Sequence, residues 1–451
     1  VSADRPPDVL QAIRLVADAV AICNRCGNCQ AVCPVYAETR TEPGVARGRV
    51  QLAAAILKGD LPVDRETAAA FSTCTTCMAC EEECPSGVPV VDIVAAVRAQ
   101  VVETRGLPWL KRAVFGGVKR PGILRAAADA AARLQGAAFK PAPDRELRRL
   151  RFPYGLAARR AYPPLAAHPF EHAAATPSRA GRGDSRSDGP RVLLFPGCMV
   201  TYVYPGIGHA AVEVLERGGA EVVTPPEAAC CGVPLEAHGD RAGATALARL
   251  QLDQLEGLEF DALVAACPTC ASSFVHRYPR LLAGEPRYAA RAQALAARSY
   301  DVTSYLVDEL HVSPPAGRLE TTVTYHDPCH LARGLGVTRQ PRELLTGIPG
   351  VRLSEMREPS RCCGGAGSFS LTHQELSLAI GARKAADIVA TGAEVVATSC
   401  PGCRMQLADV LAQAGDSRPV VHTVELLAAA GRPGAGPATR LASTPGRYAR
   451  A

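Results

Sequence analysis

Eighteen cysteines stand in this 451-residue chain, and every one belongs to a spaced pattern. Cys23, Cys26, Cys29 and Cys33, followed by Pro34, read C-x2-C-x2-C-x3-C-P; Cys74, Cys77, Cys80 and Cys84, followed by Pro85, repeat it. Three thiolates at this spacing fit one tight turn and can hold three irons of a [4Fe-4S] cubane, while the fourth cysteine reaches over to the other cluster. The spacing predicts two clusters, one on Cys23, Cys26, Cys29 and Cys84, the other on Cys74, Cys77, Cys80 and Cys33. Structural zinc closes with four ligands in paired C-x2-C knuckles and does not ask for three evenly spaced cysteines before Cys-Pro. Two clusters with no substrate pocket of their own make an electron conduit.

The other ten cysteines form two sets of five. Cys198 is followed after 31 residues by Cys230-Cys231-Gly232, and after 35 more by Cys267-x2-Cys270. Cys329 is followed after 32 residues by Cys362-Cys363-Gly364, and after 36 more by Cys400-x2-Cys403. A disulfide between sequence neighbours would close a strained ring, so the adjacent pairs are poor staples. Side chains of neighbours on an extended backbone point different ways. Both thiolates can therefore join one site only if they meet different metals or one of them bridges. The glycine that follows removes a side chain where the backbone must lie close to the site. A multinuclear cluster accounts for these pairs better than a single zinc.

The elements that would position these thiols can be read around them. RVLLFPGC reads as a buried strand presenting Cys198, AVEVLERGG as a helix closed by glycine, AEVVTPP as the next strand, and FDALVAACPTC as a strand ending on Cys267. The same order returns in TVTYHDPC, PRELLTGIPG, RCCGG and AEVVATSCPGC, an internal repeat. Strands alternating with helices imply parallel sheets, whose ligands gather at the carboxyl ends of the strands. The expected fold class is multidomain α+β: a mainly helical two-[4Fe-4S] ferredoxin module, then two pseudo-repeated α/β cysteine-rich domains. The expected divisions are residues 1–104 for the ferredoxin-type domain, 105–190 for a basic Pro/Arg/Ala-rich connecting segment, 191–312 and 320–428 for the two copies, and 431–451 for a disordered tail. Within 105–190, the stretch TPSRAGRGDSRSDGP reads as a flexible linker.

Composition bounds the rest. At 47% hydrophobic and 21% charged the chain is that of a globular protein. No run of about 18 uncharged apolar residues predicts a membrane span, and the N-terminus lacks the apolar core of a secretory signal. Metal-ligating cysteines point to a reducing cytoplasm. Residues 105–190 carry 17 Lys and Arg against 6 Asp and Glu, a net +11. In LPWLKRAVFGGVKRPGILR, Lys111, Arg112, Lys119 and Arg120 interleave with apolar residues, which fits packing on the ferredoxin module or a partner subunit, or a peripheral contact with the cytoplasmic face of a membrane. With 5% aromatic residues and no recognised binding motif, nucleic acid is not an expected partner. No G-x-G-x-x-G opens a helix after a strand, so NAD or flavin bound by this chain is not expected; P-loop and H-E-x-x-H motifs are also missing. His326, Asp327 and His330 flank Cys329; hydrogen bonding to loop backbone is the expected role of the histidines, with proton donation or ligation as the alternatives. Thr269, Ser368 and Arg404 stand near cysteines and could tune a cluster through hydrogen bonds.

The doubled pattern resembles the cysteine-rich CCG domain of heterodisulfide reductase. The whole order resembles the iron-sulfur subunits of glycolate oxidase and lactate dehydrogenase, and the corresponding subunit of anaerobic glycerol-3-phosphate dehydrogenase. FPGC, YHDPCHLARG, RCCGGAGSF and TSCPGCRMQL carry the likeness, which spans about residues 15–428. It implies that Cys198, Cys230, Cys231, Cys267 and Cys270, and Cys329, Cys362, Cys363, Cys400 and Cys403, hold one or two further iron-sulfur clusters, noncubane in type, or zinc. It implies an oxidoreductase subunit that takes electrons from an FAD-containing 2-hydroxy-acid (glycolate or lactate) dehydrogenase subunit and passes them towards a quinone or another membrane acceptor. Both copies keep all five cysteines, which leaves an alternative: a heterodisulfide-reductase-like subunit cleaving a disulfide at its CCG-bound clusters.

Overall fold

The structure is a computed structural model and describes residues 11–142, 147–151, 160–172, 189–227 and 229–432. Most of the expected linker and of the tail lies outside the described residues.

The N-terminal part is helical. Helices Ala46–Lys58, Arg65–Ser72 and Val90–Arg105 close on Ile13, Val50, Phe71, Ile93 and Val97. Gly59 ends the first of these at φ +81°, a left-handed C-cap that glycine adopts without steric cost. Asp64 starts the second by accepting a hydrogen bond from the Thr67 N–H at 2.9 Å. The two cysteine turns are held against this core.

The basic segment contributes helices Trp109–Val118 and Pro121–Ala138. Phe115 is buried, and it packs with Leu107 and Val118 on the core of the first α/β copy, a contact that the basic pattern did not specify. A short antiparallel ribbon follows, β1 (Phe139–Pro141) with β2 (Arg148–Leu150).

Then come two four-stranded parallel sheets. The first holds β3 (Arg191–Phe195), β4 (Glu221–Val223), β5 (Ala262–Ala265) and β6 (Ser299–Asp301) in the order β4-β3-β5-β6. The second holds β7 (Thr321–His326), β8 (Val351–Leu353), β9 (Val395–Thr398) and β10 (Val420–His422) in the order β8-β7-β9-β10. Each copy therefore runs second, first, third, fourth, so the internal repeat is one of topology as well as spacing. Strand order reverses between β3 and β5 and between β7 and β9, where the loops leaving adjacent strands part and open a crevice. Cys198 and Cys267 follow β3 and β5; Cys329 and Cys400 follow β7 and β9.

Alternation along the strands sorts the core. Val192, Leu194 and Val264 face one cluster, while Leu193, Phe195, Leu263 and Ala265 face another. The first cluster also contains Val323, Tyr325, Val395 and Ala397 of the second sheet. Helices Pro205–Arg217 and Thr423–Ala430 pack against each other between the sheets. The copies thus share one core, which fixes their cysteine loops relative to each other. Among the described residues no helix is long and apolar enough to cross a membrane.

Candidate metal centres

The two N-terminal turns have one backbone design. Arg25 and Gly27 of the first lie at φ +62° and +92°; Thr76 and Met78, at the same places in the second, lie at +53° and +61°. A β-branched threonine at positive φ is a strained choice that the surroundings must enforce. The curl turns three thiols of each block to one side. Cys84 joins Cys23, Cys26 and Cys29 around one cavity, which Arg47 also lines. Cys33 stands within electrostatic reach of Cys74 and Cys77, and Cys80 of Cys74, Cys77 and Cys33. The fourth cysteine of each block is thus brought to the other block's turn.

These residues fit anionic clusters of thiolate-ligated iron. Burial pushes the Cys29, Cys33 and Cys80 thiols up, and neighbouring thiols add to it, so without a cation they would stay protonated. A bound metal reverses that logic and deprotonates them outright. Backbone N–H groups of Tyr36, Thr76 and Val88 already donate to the sulfurs of Cys33, Cys74 and Cys84, each at 3.4 Å. Arg98 sets a positive charge beside Cys74, where it would balance the negative charge of a cluster. Its guanidinium spends its donors on carbonyls of Phe71, Cys74 and Ala237, at 2.8, 2.7 and 3.0 Å, and among the described residues no carboxylate pairs with it. Burial opposes this charge, and the charge of Cys74 supports it.

In the first α/β copy the adjacent thiols Cys230 and Cys231 are hydrogen-bonded to each other, and each also reaches a further cysteine. Cys230 is hydrogen-bonded to Cys198, and Cys231 to Cys270, whose neighbour in the loop is Cys267. In the second copy Cys363 is hydrogen-bonded to Cys403, and Cys403 to Cys400. Cys362 turns the other way, to Cys77 of the N-terminal module, with Cys329 close by. The Cys362 contact holds the Cys77 thiol down at about 6. Cys400 is in turn hydrogen-bonded to Cys267 of the first copy. Cys267 and Cys400 each sit at a helix N-cap with proline at the first helical position, so free N–H donors face the thiols. Gly232 and Gly364 lie at φ +86° and +83°, and a Cβ on Gly364 would stand 2.6 Å from the Ser377 carbonyl oxygen.

His326 is the residue whose place differs from expectation. Among the described residues its ring makes no hydrogen bond to loop backbone. A ring nitrogen lies with the Cys363 and Cys403 sulfurs, all within 4.8 Å of one another, and its Nδ1 is buried without a hydrogen-bond partner. The matching strand end of the first copy is Phe195, so the contrast between LLFPGC and TYHDPC was the available signal. The neighbours behave otherwise. Asp327 is held by both arms of the Arg342 guanidinium at 2.9 Å, and His330, pushed down to about 4 by burial, meets the Thr269 hydroxyl at 3.3 Å. Arg404 pairs with Glu425 at 2.7 Å and lies over the Tyr204 ring. Ser368 is hydrogen-bonded to His238.

Two like-wound parallel sheets with cysteines at their carboxyl ends, behind a helical module of paired cysteine turns, define an iron-sulfur protein of the dicluster and cysteine-rich type. Residues 19–88 match the 4Fe-4S dicluster domain, and residues 192–275 and 323–408 each match the cysteine-rich domain CCG. The chain is 29% identical over 424 residues to the probable glycolate oxidase iron-sulfur subunit of Bacillus subtilis, covering 90% of this chain and 92% of the relative. It is 32% identical over 237 residues to the lactate utilization protein A of Bacillus cytotoxicus, 52% of this chain and 98% of the relative, and equally to that of Halalkalibacterium halodurans, covering 96% of it. A crystal structure of a hypothetical protein from Helicobacter pylori shares the fold, with a TM-score of 0.51 over 95% of this chain and 73% of that one, at 8% identity. The chain belongs to the family of glycolate oxidase iron-sulfur subunits and lactate utilization proteins A.

Proposed function

We propose that this chain is the electron relay of a flavoprotein 2-hydroxy-acid dehydrogenase, taking electrons from the flavin of a partner subunit that oxidises glycolate or lactate and passing them towards a quinone or another acceptor. The observation that carries this reading is the unbroken succession of thiols. The turns at Cys23 and Cys74 share the first cavity's wall through Cys80, Cys77 meets Cys362, and Cys400 meets Cys267. Neighbouring centres on these ligands would be separated by little more than the ligands themselves. Cys23, Cys26, Cys29 and Cys84 would hold one [4Fe-4S] cluster, and Cys74, Cys77, Cys80 and Cys33 the other. The five cysteines of each copy would hold the further centres, on domains spanning 191–312 and 320–428. When bound, the clusters supply one-electron chemistry. The chain's own residues fix their spacing, exclude water and set the local charge through Arg98 and the N–H donors.

The alternative, disulfide cleavage at the CCG centres, is less well supported. Seven of the ten CCG cysteines are buried and the other three are partly so, which favours relay over attack on an incoming substrate. The test is to purify the chain anaerobically, count iron, sulfide and zinc, and follow electron paramagnetic resonance on adding lactate or glycolate with the flavoprotein partner. About 16 irons and stepwise cluster reduction are expected. About 8 irons, with zinc in the CCG half, would leave only the N-terminal module as a relay. A signal that responds to added thiol and not to the 2-hydroxy acid would favour the disulfide reading.

A further inference from the structure

A cleft of about 430 Å³ opens where the N-terminal module meets both α/β copies, and Cys74 forms part of its wall. Phe71, Val102, Leu107 and Phe369 give it apolar sides. Its polar groups converge from three parts of the chain: Lys111 Nζ lies 3.1 Å from His238 Nδ1, and His238 Nε2 is hydrogen-bonded to Ser368 Oγ. Arg98 and Arg105 also line it, and among the described residues no carboxylate does. Apolar walls with donors and cations at one place suit a flat ring carrying oxygen acceptors. Burial lowers the proton affinity of Lys111 and His238.

The helix that carries Lys111 adds a second observation. On it, Trp109, Leu110 and Val114 are 78%, 58% and 53% exposed. Arg112, Lys119 and Arg120 flank them. An exposed tryptophan and aliphatic edge bordered by cations is the chemistry of an anionic lipid interface. An occupant that is flat and oxygen-bearing inside and apolar where it leaves is a lipid-soluble quinone.

We propose that this cleft binds the ring of a quinone, whose carbonyl oxygen accepts hydrogen bonds from Lys111 and the His238–Ser368 pair, with the tail leaving over Trp109 and Leu110. The proposal rests on the relay reading for its electrons. Two electrons, originating in the 2-hydroxy acid and delivered singly on the Cys74 side, and two protons from water convert both ring carbonyls to hydroxyls; no bond to the protein forms or breaks.

The test is binding to the full chain, purified anaerobically with its metal centres. The probe is 2-heptyl-4-hydroxyquinoline N-oxide, a quinol-site ligand whose fluorescence is quenched when it binds. Saturable quenching at one site per chain is expected, with displacement by decylubiquinone. Lys111→Met should weaken it about tenfold, the scale of one lost hydrogen bond to a charged group. Thr372→Trp, a change at an exposed residue of the cleft wall, should block it by filling the opening. Unchanged cluster spectra in both variants exclude misfolding. Absence of saturable quenching, indifference to both variants, or displacement by lactate or pyruvate in place of decylubiquinone would overturn the proposal. Failed binding alongside intact reduction of the clusters by lactate and the flavoprotein would sink this inference and leave the relay standing. Probe binding without that reduction would do the reverse.

Discussion

Cys230 and Cys362 occupy the same place in two copies of one fold, yet they turn to different neighbours. Cys230 meets Cys198 inside its own copy, whereas Cys362 meets Cys77 of the N-terminal module. The strand end beside them differs too, Phe195 in the first copy and His326 in the second. Duplication thus supplies two similar cradles, and what packs against each decides its use. The second copy is a junction, in contact with the N-terminal module through Cys362 and with the first copy through Cys400. The cysteines of the first copy sit instead in an apolar cluster drawn mostly from that copy's own residues.

The largest effect should come from breaking the junction. Cys362→Ser is expected to slow electron arrival at the second copy about 100-fold, the upper range for disturbing a metal's surroundings. Cys230→Ser should leave that step at the wild-type rate. Freeze-quench paramagnetic resonance distinguishes the two, and equal rates would erase the distinction between the copies.

Next comes the strand end. His326→Phe makes the second copy resemble the first and should weaken its hold on metal by about 10- to 100-fold in a chelator challenge. Metal in the first copy should be untouched. Full retention in both would mean that His326 touches no metal.

The two fourth strands offer an opposed pair. Asp301 ends β6 and His422 ends β10, and each caps the helix that follows. His422 is held to its neutral form, Nδ1 accepting from Val424 N–H at 3.3 Å and Nε2–H donating to the Ala266 carbonyl at 3.1 Å. Burial pushes it from 6.5 down to about 4, so the unfolded chain binds the proton first and stability is lost as pH falls across that window. Burial pushes Asp301 from 3.8 up to about 7, so the unfolded chain releases its proton first and stability is lost as pH rises across its window. The two changes amount to about 3 kcal/mol for His422 and about 4 kcal/mol for Asp301, with opposite slopes that largely cancel where the windows overlap. His422→Gln should leave a protein that weakens with rising pH, and Asp301→Asn one that strengthens. Parallel slopes in denaturant titrations of the two variants would refute the pairing.

The smallest contrast is between the glycines. Gly232→Ala meets nothing nearer than 3.5 Å and should cost about 1 kcal/mol for its left-handed backbone alone. Gly364→Ala also collides with the Ser377 carbonyl and should cost about 2–3 kcal/mol, read from urea midpoints.

Spacing made much of this legible. C-x2-C-x2-C-x3-C-P needs only local geometry, and buried strands such as RVLLF and AEVVAT announce themselves by length, branching and a following Pro or Cys. The parallel sheets followed from the alternation of strand and helix. The meeting of Cys77 with Cys362 was beyond reach, because it depends on how the helical module docks on the second copy, and no local pattern encodes docking. His326 was visible as a difference from Phe195, but a strand-end histidine can turn to backbone or to thiols, and the choice belongs to the packing. The cleft beside Cys74 is assembled by Lys111, His238 and Ser368, which are far apart in sequence and individually unremarkable.

Cys26, alone among the described cysteines, is exposed. On the proposed ligand sets, air would therefore attack this protein from one end. Oxygen reaches the Cys26 turn while the thiols at the junction and between the copies are still sealed, and oxidation follows exposure. A sample ageing on the bench should lose iron in stages, passing first through a form stripped of its outermost centre with the interior ones intact.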